Sequence, residues 1–457
     1  MGNQSALAKS QRKLGIWLIG ASGNVATTVA VGLAALQKKL TPPIGLVTDQ
    51  APLAKLLLAP LSNITLGGHE ISRRSVAQSA DELRRNSGIF DELMLRAVKP
   101  ALAKYEKNIR TGTAIRCGHA ISRLATRSGA RKKTSARHII GQLRNDLRLF
   151  RRRHRLHRVV VVHVASTEPA YKLTATHRNW SKLDKALSQR TSPLPASSLY
   201  AVAAIEENMP FVSFTPSLGV EVPAIHELAE MQGVPFMCSD PKTGETLLKT
   251  VLAPMFRERH LKIESWVGHN VLGNGDGMVL DSSPNKAAKL ETKNGVIASL
   301  VGYPPQTRTS IEYVESLHDW KTAWDHVHFR GFLGTKMSLQ FVWQGCDSIL
   351  AAPLIIDLAR LADYHAEQGH TGVMKHLACF FKSPMGVSEH GFAAQVEMLH
   401  RYVAGETSKN QNVKKSKHRS VEKSKRLNGK KSKRQNDEKL RRQNKKSKRR
   451  KVEKTQR

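Results

Sequence analysis

The stretch Lys13-Leu14-Gly15-Ile16-Trp17-Leu18-Ile19-Gly20-Ala21-Ser22-Gly23-Asn24-Val25-Ala26 constrains the fold more than any other. A short run of apolar residues meets a glycine turn, and an apolar helix through Thr28-Val29-Ala30-Val31-Gly32-Leu33-Ala34 follows at once. Strand, glycine turn and helix make up the opening unit of a doubly wound α/β sheet. In that unit the backbone N–H groups at the helix start can hold a pyrophosphate. The spacing is GxxGxxA rather than GxGxxG, so a plain strand-to-helix turn fits the residues equally well.

The next strand expected is Ile44-Gly45-Leu46-Val47-Thr48-Asp49, whose Asp49 stands where an acid could receive a ribose hydroxyl. Residues 76–107 read as helical. Val159-Val160-Val161-Val162-His163-Val164-Ala165 is a buried strand ending in Ser166-Thr167-Glu168-Pro169. Ser197 to Ala204 reads as helix, and 210–217 and 234–240 as further strands with small polar tips. Polar groups at the carboxyl ends of parallel strands are placed to meet a ligand. From about residue 260 the texture changes. Lys262–Val267 and Met337–Trp343 alternate as half-buried strands do, which suggests an open sheet in a second domain, and an apolar helix begins at Asp347. The stretch Gly268-His269-Asn270-Val271-Leu272-Gly273-Asn274-Gly275-Asp276-Gly277 reads either as a tight turn or as a loop whose backbone approaches a polar ligand.

Charge excludes less than its size suggests. The net charge is +36, but residues 406–457 carry about +18 of it and residues 110–158 about +14. The tail lacks apolar residues and aromatics, so it is expected to be disordered and at most a nonspecific polyanion binder. The inner segment has an apolar stripe at Ile139, Leu143, Leu147 and Phe150, as in a helix with an arginine-rich solvent face. No apolar run reaches membrane-spanning length. The start has no signal-peptide core, and Ala6 breaks a myristoylation pattern. Four scattered cysteines, none in a CxxC pair, fit a reducing compartment, so a cytoplasmic protein is expected. No His/Asp cluster calls for a metal.

In order, the motifs GASGN, VVVVHVASTEPA, CSDPKTGET, GHNVLGNGDG, HDWKTAWDH, CDSILAAPLIIDL and FFKSPMG resemble those of the myo-inositol-1-phosphate synthase (inositol-3-phosphate synthase) family over residues 13–404. The basic stretch at 105–158 matches poorly. The resemblance implies a Rossmann-like NAD-binding domain over 13–243 and an inserted α+β catalytic and tetramerisation domain over 244–346. A return to the first domain over 347–404 would follow, with a short arm before and the basic tail after. It implies NAD-dependent conversion of glucose 6-phosphate to inositol 1(3)-phosphate by C5 oxidation, enolisation, aldol closure and re-reduction, carried out by a homotetramer.

Catalytic residues implied are Lys289, Lys293, Lys321, Lys382, Asp240, Asp276 and Asp347. Cofactor residues implied are Gly20, Ser22, Gly23, Asn24, Asp49, Thr167, Glu168, Thr243, Gly244, Asn270, Asn274 and Asp276. Lys321 would polarise the C5 oxygen and Lys289 move a proton at C5 or C6, while Lys293 and Lys382 hold phosphate or the C1 oxyanion. Trp266, Phe341 and Trp343 would give the tetramer its apolar face. Thr243 and Gly275 depart from the family pattern, as does Ser213-Phe214-Thr215-Pro216-Ser217. These departures leave open a cyclase or dehydrogenase for another phosphosugar, or a silent relative with a nucleic-acid-binding tail.

Overall fold

The structure, a computed structural model, describes residues 12–130, 134–280 and 296–405. Its larger sheet has seven parallel strands in the order β11-β6-β5-β4-β1-β2-β3. These are β1 (Leu14–Ile19), β2 (Ile64–Glu70), β3 (Ile109–Thr111), β4 (Arg158–His163), β5 (Phe211–Ser213), β6 (Pro235–Met237) and β11 (Gly372–Val373). Without β11 this is the 3-2-1-4-5-6 order of the dinucleotide-binding sheet, with the topological switch between β1 and β4. All six residues of β1 and five of the six in β4 are buried, as continuous apolar runs in a sheet covered on both faces should be.

Twelve helices are named here. Those around the first sheet are α1 (Asn24–Gln37), α2 (Val76–Ser87), α3 (Glu92–Glu106), α4 (His119–Leu124), α5 (Ala136–Arg153), α6 (Trp180–Leu187), α7 (Ala196–Glu206) and α8 (Pro223–Gln232). They are followed by α9 (Glu245–Glu258), α10 (Gly275–Leu280), α11 (Asp347–Glu367) and α12 (Phe392–Val403). The basic helix α5 buries Ile139, Leu143, Leu147 and Phe150, the stripe expected from its sequence.

The second strand is not where the sequence suggested. Ile44 is exposed and Val47–Asp49 form a 3-10 turn. The strand beside β1 is Ile64–Glu70, whose Leu66-Gly67-Gly68-His69 looks like a loop. Its glycines are steric necessities. A Cβ on Gly67 would lie 2.8 Å from the Trp17 and Phe150 rings, and one on Gly68 2.3 Å from the Leu18 carbonyl oxygen. The bulk that β2 lacks is supplied by β1 and α5.

The second sheet runs β10-β9-β7-β8. Its strands are β7 (Lys262–Leu272), β8 (Gln306–Tyr313), β9 (Trp320–Arg330) and β10 (Lys336–Cys346). The pair β7–β8 is parallel and the others antiparallel. Ala253 and Phe256 of α9 pack with Ile263, Trp266 and Val327 in a separate apolar cluster. Trp266 is therefore core, 1% exposed, and not part of an outer face. Among the described residues no helix is long and apolar enough to cross a membrane.

Candidate active site

The carboxyl ends of β1, β2 and β4 open into a cavity of about 680 Å³. It lies in the crevice where the strand order reverses, the place that an open α/β sheet offers a ligand.

The glycine turn forms one wall. Gly20 has φ +91°, and a Cβ there would meet Ala165 Cα at 2.9 Å, so both the conformation and the space require glycine. Gly23 stands at the N-cap of α1, with no side-chain cap and no acid in the first turn. Asn24 and Val25, the first residues of α1, line the cavity. A helix start without its own cap, facing a cavity, has donors for an anion. The Ser22 amide is already used: it donates to Glu70 Oε2 at 2.8 Å, while Ile71 N and Ser72 N donate to Glu70 Oε1 at 2.7 and 2.9 Å. Glu70 ends β2 and thus stands at the position that the sequence reading gave to Asp49. Asp49 is exposed and away from the cavity, because the strand it was to end does not exist.

Asp319, a residue the sequence reading passed over, forms the opposite wall. It is 1% exposed and accepts from Asn24 Nδ2 at 3.0 Å through Oδ1. Its Oδ2 accepts from Cys346 Sγ at 3.0 Å, Ser348 N at 3.0 Å and Ser348 Oγ at 2.5 Å. Burial pushes its carboxyl above the ordinary range, against the pull of these donors. One carboxylate therefore ties the start of α1 to the junction of β10 and α11. The signal was in the sequence: Asp319 stands two residues before Lys321 in the same motif, where the lysine drew the attention.

Asp347, in the first turn of α11, lines the cavity and accepts from Asn274 Nδ2 at 3.1 Å; Asn274 Oδ1 in turn accepts from Gly277 N at 2.9 Å. The glycine-rich stretch around them is half strand. Gly268 to Leu272 complete β7, and Gly275 begins α10. Asp276 falls in α10, and its side chain lies outside what the structure describes, as do Lys289 and Lys293 entirely.

Asp240 and Thr243 also line the cavity. Behind them Lys382, 6% exposed, places Nζ 3.0 Å from Asp240 Oδ2, and the two chain segments are joined by Lys382 N to Asp240 O at 2.7 Å. A buried pair of this kind is costly to break, since either partner left alone is an unpaired charge. Nearby, Lys242 Nζ donates to Gln395 Oε1 at 2.5 Å, and burial draws its ammonium down to about 8.

Thr167 and Glu168 line the cavity beyond β4. Glu168 accepts from Ser197 N at 2.9 Å and from the Ser197 hydroxyl, so it anchors the first turn of α7. Burial pushes its carboxyl up to about 7. His163 is drawn down to about 4 by burial and lies 3.2 Å from Thr215 Oγ1.

Besides Asp49, three further expected residues stand apart from the cavity wall. Gly244 caps α9, where a Cβ would lie 3.2 Å from Trp343 Nε1. Asn270 is fully buried in β7 between Ile311 and Ala323. Lys321 is half-buried on β9, opposite Leu272 and Gly345. Among the described residues, then, Gly20, Ser22, Gly23, Asn24, Thr167, Glu168, Asp240, Thr243, Asn274 and Asp347 share one cavity, with Lys382 directly behind it.

The family profile described as Myo-inositol-1-phosphate synthase matches residues 14–403. The chain belongs to the myo-inositol-1-phosphate synthase family. It is 36% identical over 403 residues to Inositol-3-phosphate synthase 1 of Bacteroides thetaiotaomicron, covering 83% of this chain and 91% of that one. It is 29% identical over 400 residues to Inositol-3-phosphate synthase of Trypanosoma brucei brucei, covering 78% and 74%. Among solved structures, inositol-3-phosphate synthase from Caenorhabditis elegans has the same fold, with a TM-score of 0.78 at 23% identity over 86% of this chain and 85% of that one. The myo-inositol-1-phosphate synthase-related protein from Thermotoga maritima superposes with a TM-score of 0.70 at 21% identity, covering 86% and 99%. The cofactor of the family is NAD. The uncapped start of α1 and the strand order around it fit a dinucleotide.

Proposed function

We propose that this chain converts glucose 6-phosphate to an inositol phosphate, with NAD reduced and then reoxidised in one cycle. The observation that carries the reading is the shared cavity. A glycine turn with an uncapped helix start opens into the same space as Asp240, Asn274, Asp319 and Asp347. Bound NAD supplies the hydride acceptor at C5 and later the donor.

The other tasks fall to side chains. The first-turn amides of α1 hold pyrophosphate, and Gly20 lets the backbone come close. Ring closure develops negative charge at the C5 and C1 oxygens, which calls for fixed cations in a site shielded from water. Lys382, held against Asp240, is such a cation for the C1 oxyanion or the substrate phosphate. Lys321, which stands apart from the cavity wall, is assigned to the C5 oxygen on motif similarity alone. Lys289 carries the proton at C5 or C6, and Lys293 assists at the phosphate; both assignments rest on motif similarity alone. Asp276 orients a lysine or the nicotinamide on the same basis. Asp347, fixed by Asn274, orients substrate hydroxyls.

The test is to incubate the protein with glucose 6-phosphate and catalytic NAD+ and follow inositol phosphate by phosphorus NMR. Product without net NADH supports the synthase, and its loss in Lys321→Ala supports the role of that lysine. Unchanged substrate with NAD+ still bound would overturn the substrate assignment, and stoichiometric NADH would point to a dehydrogenase.

The homotetramer is part of the same proposal. Phe332, Leu333 and Val342, on β10 and the turn before it, are 88%, 86% and 65% exposed. An open sheet with such residues invites a second copy. Sedimentation of a Phe332→Ser/Leu333→Ser variant as a smaller species supports that face, and an unchanged mass argues against it. A cytoplasmic location agrees with four buried cysteines, none of them in a disulfide; cell fractionation tests it.

A further inference from the structure

The cations of α5 divide sharply. Up to its last turn these are paired: Arg137 with Asp184 and Glu206, Arg144 with Glu206 and Glu207, and Arg148 with Glu207. In its last turn Arg151, Arg152 and Arg153 are exposed, and among the described residues none has a carboxylate within 4.0 Å; the same holds for Arg155 just beyond. His154 Nε2 lies 3.0 Å from Asn108 Oδ1, which brings this end of α5 beside the end of α3. There Lys104 and Lys107 are exposed and likewise without a carboxylate. Acids on the adjoining segments are committed elsewhere, Glu106 to Val76 N, Asp146 to His69 and Glu367 to His157 and Arg158, and Arg151 itself donates to the His157 carbonyl at 3.0 Å.

Helix polarity accounts for part of this charge. Two helix carboxyl ends meet here, each equivalent to roughly half a negative charge. Six cations against about one negative charge is a large surplus. A face that only needed solvation would use acids such as those that neutralise the earlier turns of the same helix.

We propose that the joined ends of α5 and α3 bind the phosphodiester backbone of a nucleic acid without reading its bases. The chemistry of the patch selects this partner. Its one exposed large apolar side chain is Leu149, at 51%, too little for the apolar centre of a protein interface or the buried face of a membrane-surface helix. It offers no exposed aromatic to stack on a base. Closely spaced guanidinium groups are what phosphate contacts require. The site lies on a folded surface and is distinct from the basic tail.

Salt dependence gives the test. Each phosphate neutralised on duplex DNA contributes about −0.9 to the slope of log affinity against log salt. The full chain and R151Q/R152Q/R153Q are titrated with a labelled random-sequence 20-base-pair duplex across a range of salt. Tail binding is common to both, so the difference reports the patch. The expected loss is about 2.7 in slope, with synthase turnover unchanged because the substitutions lie outside the catalytic cavity. Should the triple variant lose turnover, Arg152→Gln alone is expected to lower the slope by about 0.9. An unchanged slope overturns the proposal. So does a loss of binding to phosphatidylserine vesicles with duplex binding intact, which would make the patch a membrane contact.

Discussion

Replacing Glu168 by Gln tests whether burial governs this edge of the cavity. The carboxyl is 4% exposed and raised by burial from 4.5 to about 7, even though Ser197 donates to it twice. A raised carboxyl binds a proton in the folded protein that the unfolded chain has released. Stability is therefore highest below about 4.5, falls as pH rises, and levels off above about 7. The difference corresponds to about 3 kcal/mol. Glutamine has the shape of the protonated acid and titrates nowhere. It can still accept from Ser197 N, and the Ser197 hydroxyl can turn from donor to acceptor. Hence E168Q should match the wild type near pH 4.5 and exceed it by about 3 kcal/mol at pH 8. At roughly 1 kcal/mol per degree for a chain of this size, its melting temperature should gain about 3 °C on the wild type between those pH values. Differential scanning fluorimetry of both proteins across the range is the assay. A gap that stays flat, or that closes as pH rises, would refute the argument and mean that Glu168 is ionised in the folded protein at little cost.

Asp319→Ala should lower stability by about 3 kcal/mol or more, since buried donors on Asn24, Cys346 and Ser348 lose their shared acceptor; NAD affinity, read by calorimetry on protein that remains folded, should fall with it. Lys382→Met should abolish turnover and destabilise by about 3–5 kcal/mol by stranding Asp240. Adding Asp240→Asn should restore much of the melting temperature but none of the turnover; recovery of turnover would remove Lys382 from the chemistry. For Lys242 the sign is the reverse of Glu168: a lysine drawn from 10.5 to about 8 makes the wild type gain stability between those values, so Lys242→Met should lead below pH 8 and lose its advantage by pH 10.5. Gly20→Ala should remove NAD binding, because φ +91° and the 2.9 Å approach to Ala165 leave no room for a side chain; retained affinity would show that the turn adapts.

Legibility in the sequence followed how local the cause was. β1, β4 and α5 announced themselves because a buried parallel strand needs a continuous apolar run and a packed helix needs a stripe, both visible within a few residues. β2 was missed because its identity is set from outside. Gly67 is required there because the Trp17 and Phe150 rings fill the space of a side chain, and Gly68 because the Leu18 carbonyl oxygen and Ala21 Cβ do. With the strand goes its terminal acid: Glu70, not Asp49, ends the strand beside β1. The same rule explains the stretch from Gly268 to Gly277, whose glycines fit a tight turn or a loop but not the strand that fills its first half. Gly268, within β7, must be glycine because a Cβ would come within 2.5 Å of Glu245 Oε1, and Gly273, just past the strand, because one would lie 2.4 Å from His318 N and Val314 O.

Asp319 explains why the site needs both halves of the chain. The start of α1 would by itself be a plain anion site, since Gly23 leaves it uncapped. Asn24, the first residue of that helix, is held by Asp319, the residue just before β9 of the second sheet. The same carboxylate fixes Ser348, whose hydroxyl receives a hydrogen bond from Thr28 of α1 at 3.0 Å. Asp347 beside it is oriented by Asn274 at the end of β7. The wall formed by the glycine turn and the wall that carries Asp319 and Asp347 thus share their hydrogen bonds. A change at either wall must reach the other through Asn24 and Asp319, so NAD affinity and turnover should fall together in Asn24→Ala. A variant that loses one and keeps the other would separate the two walls and undo this account.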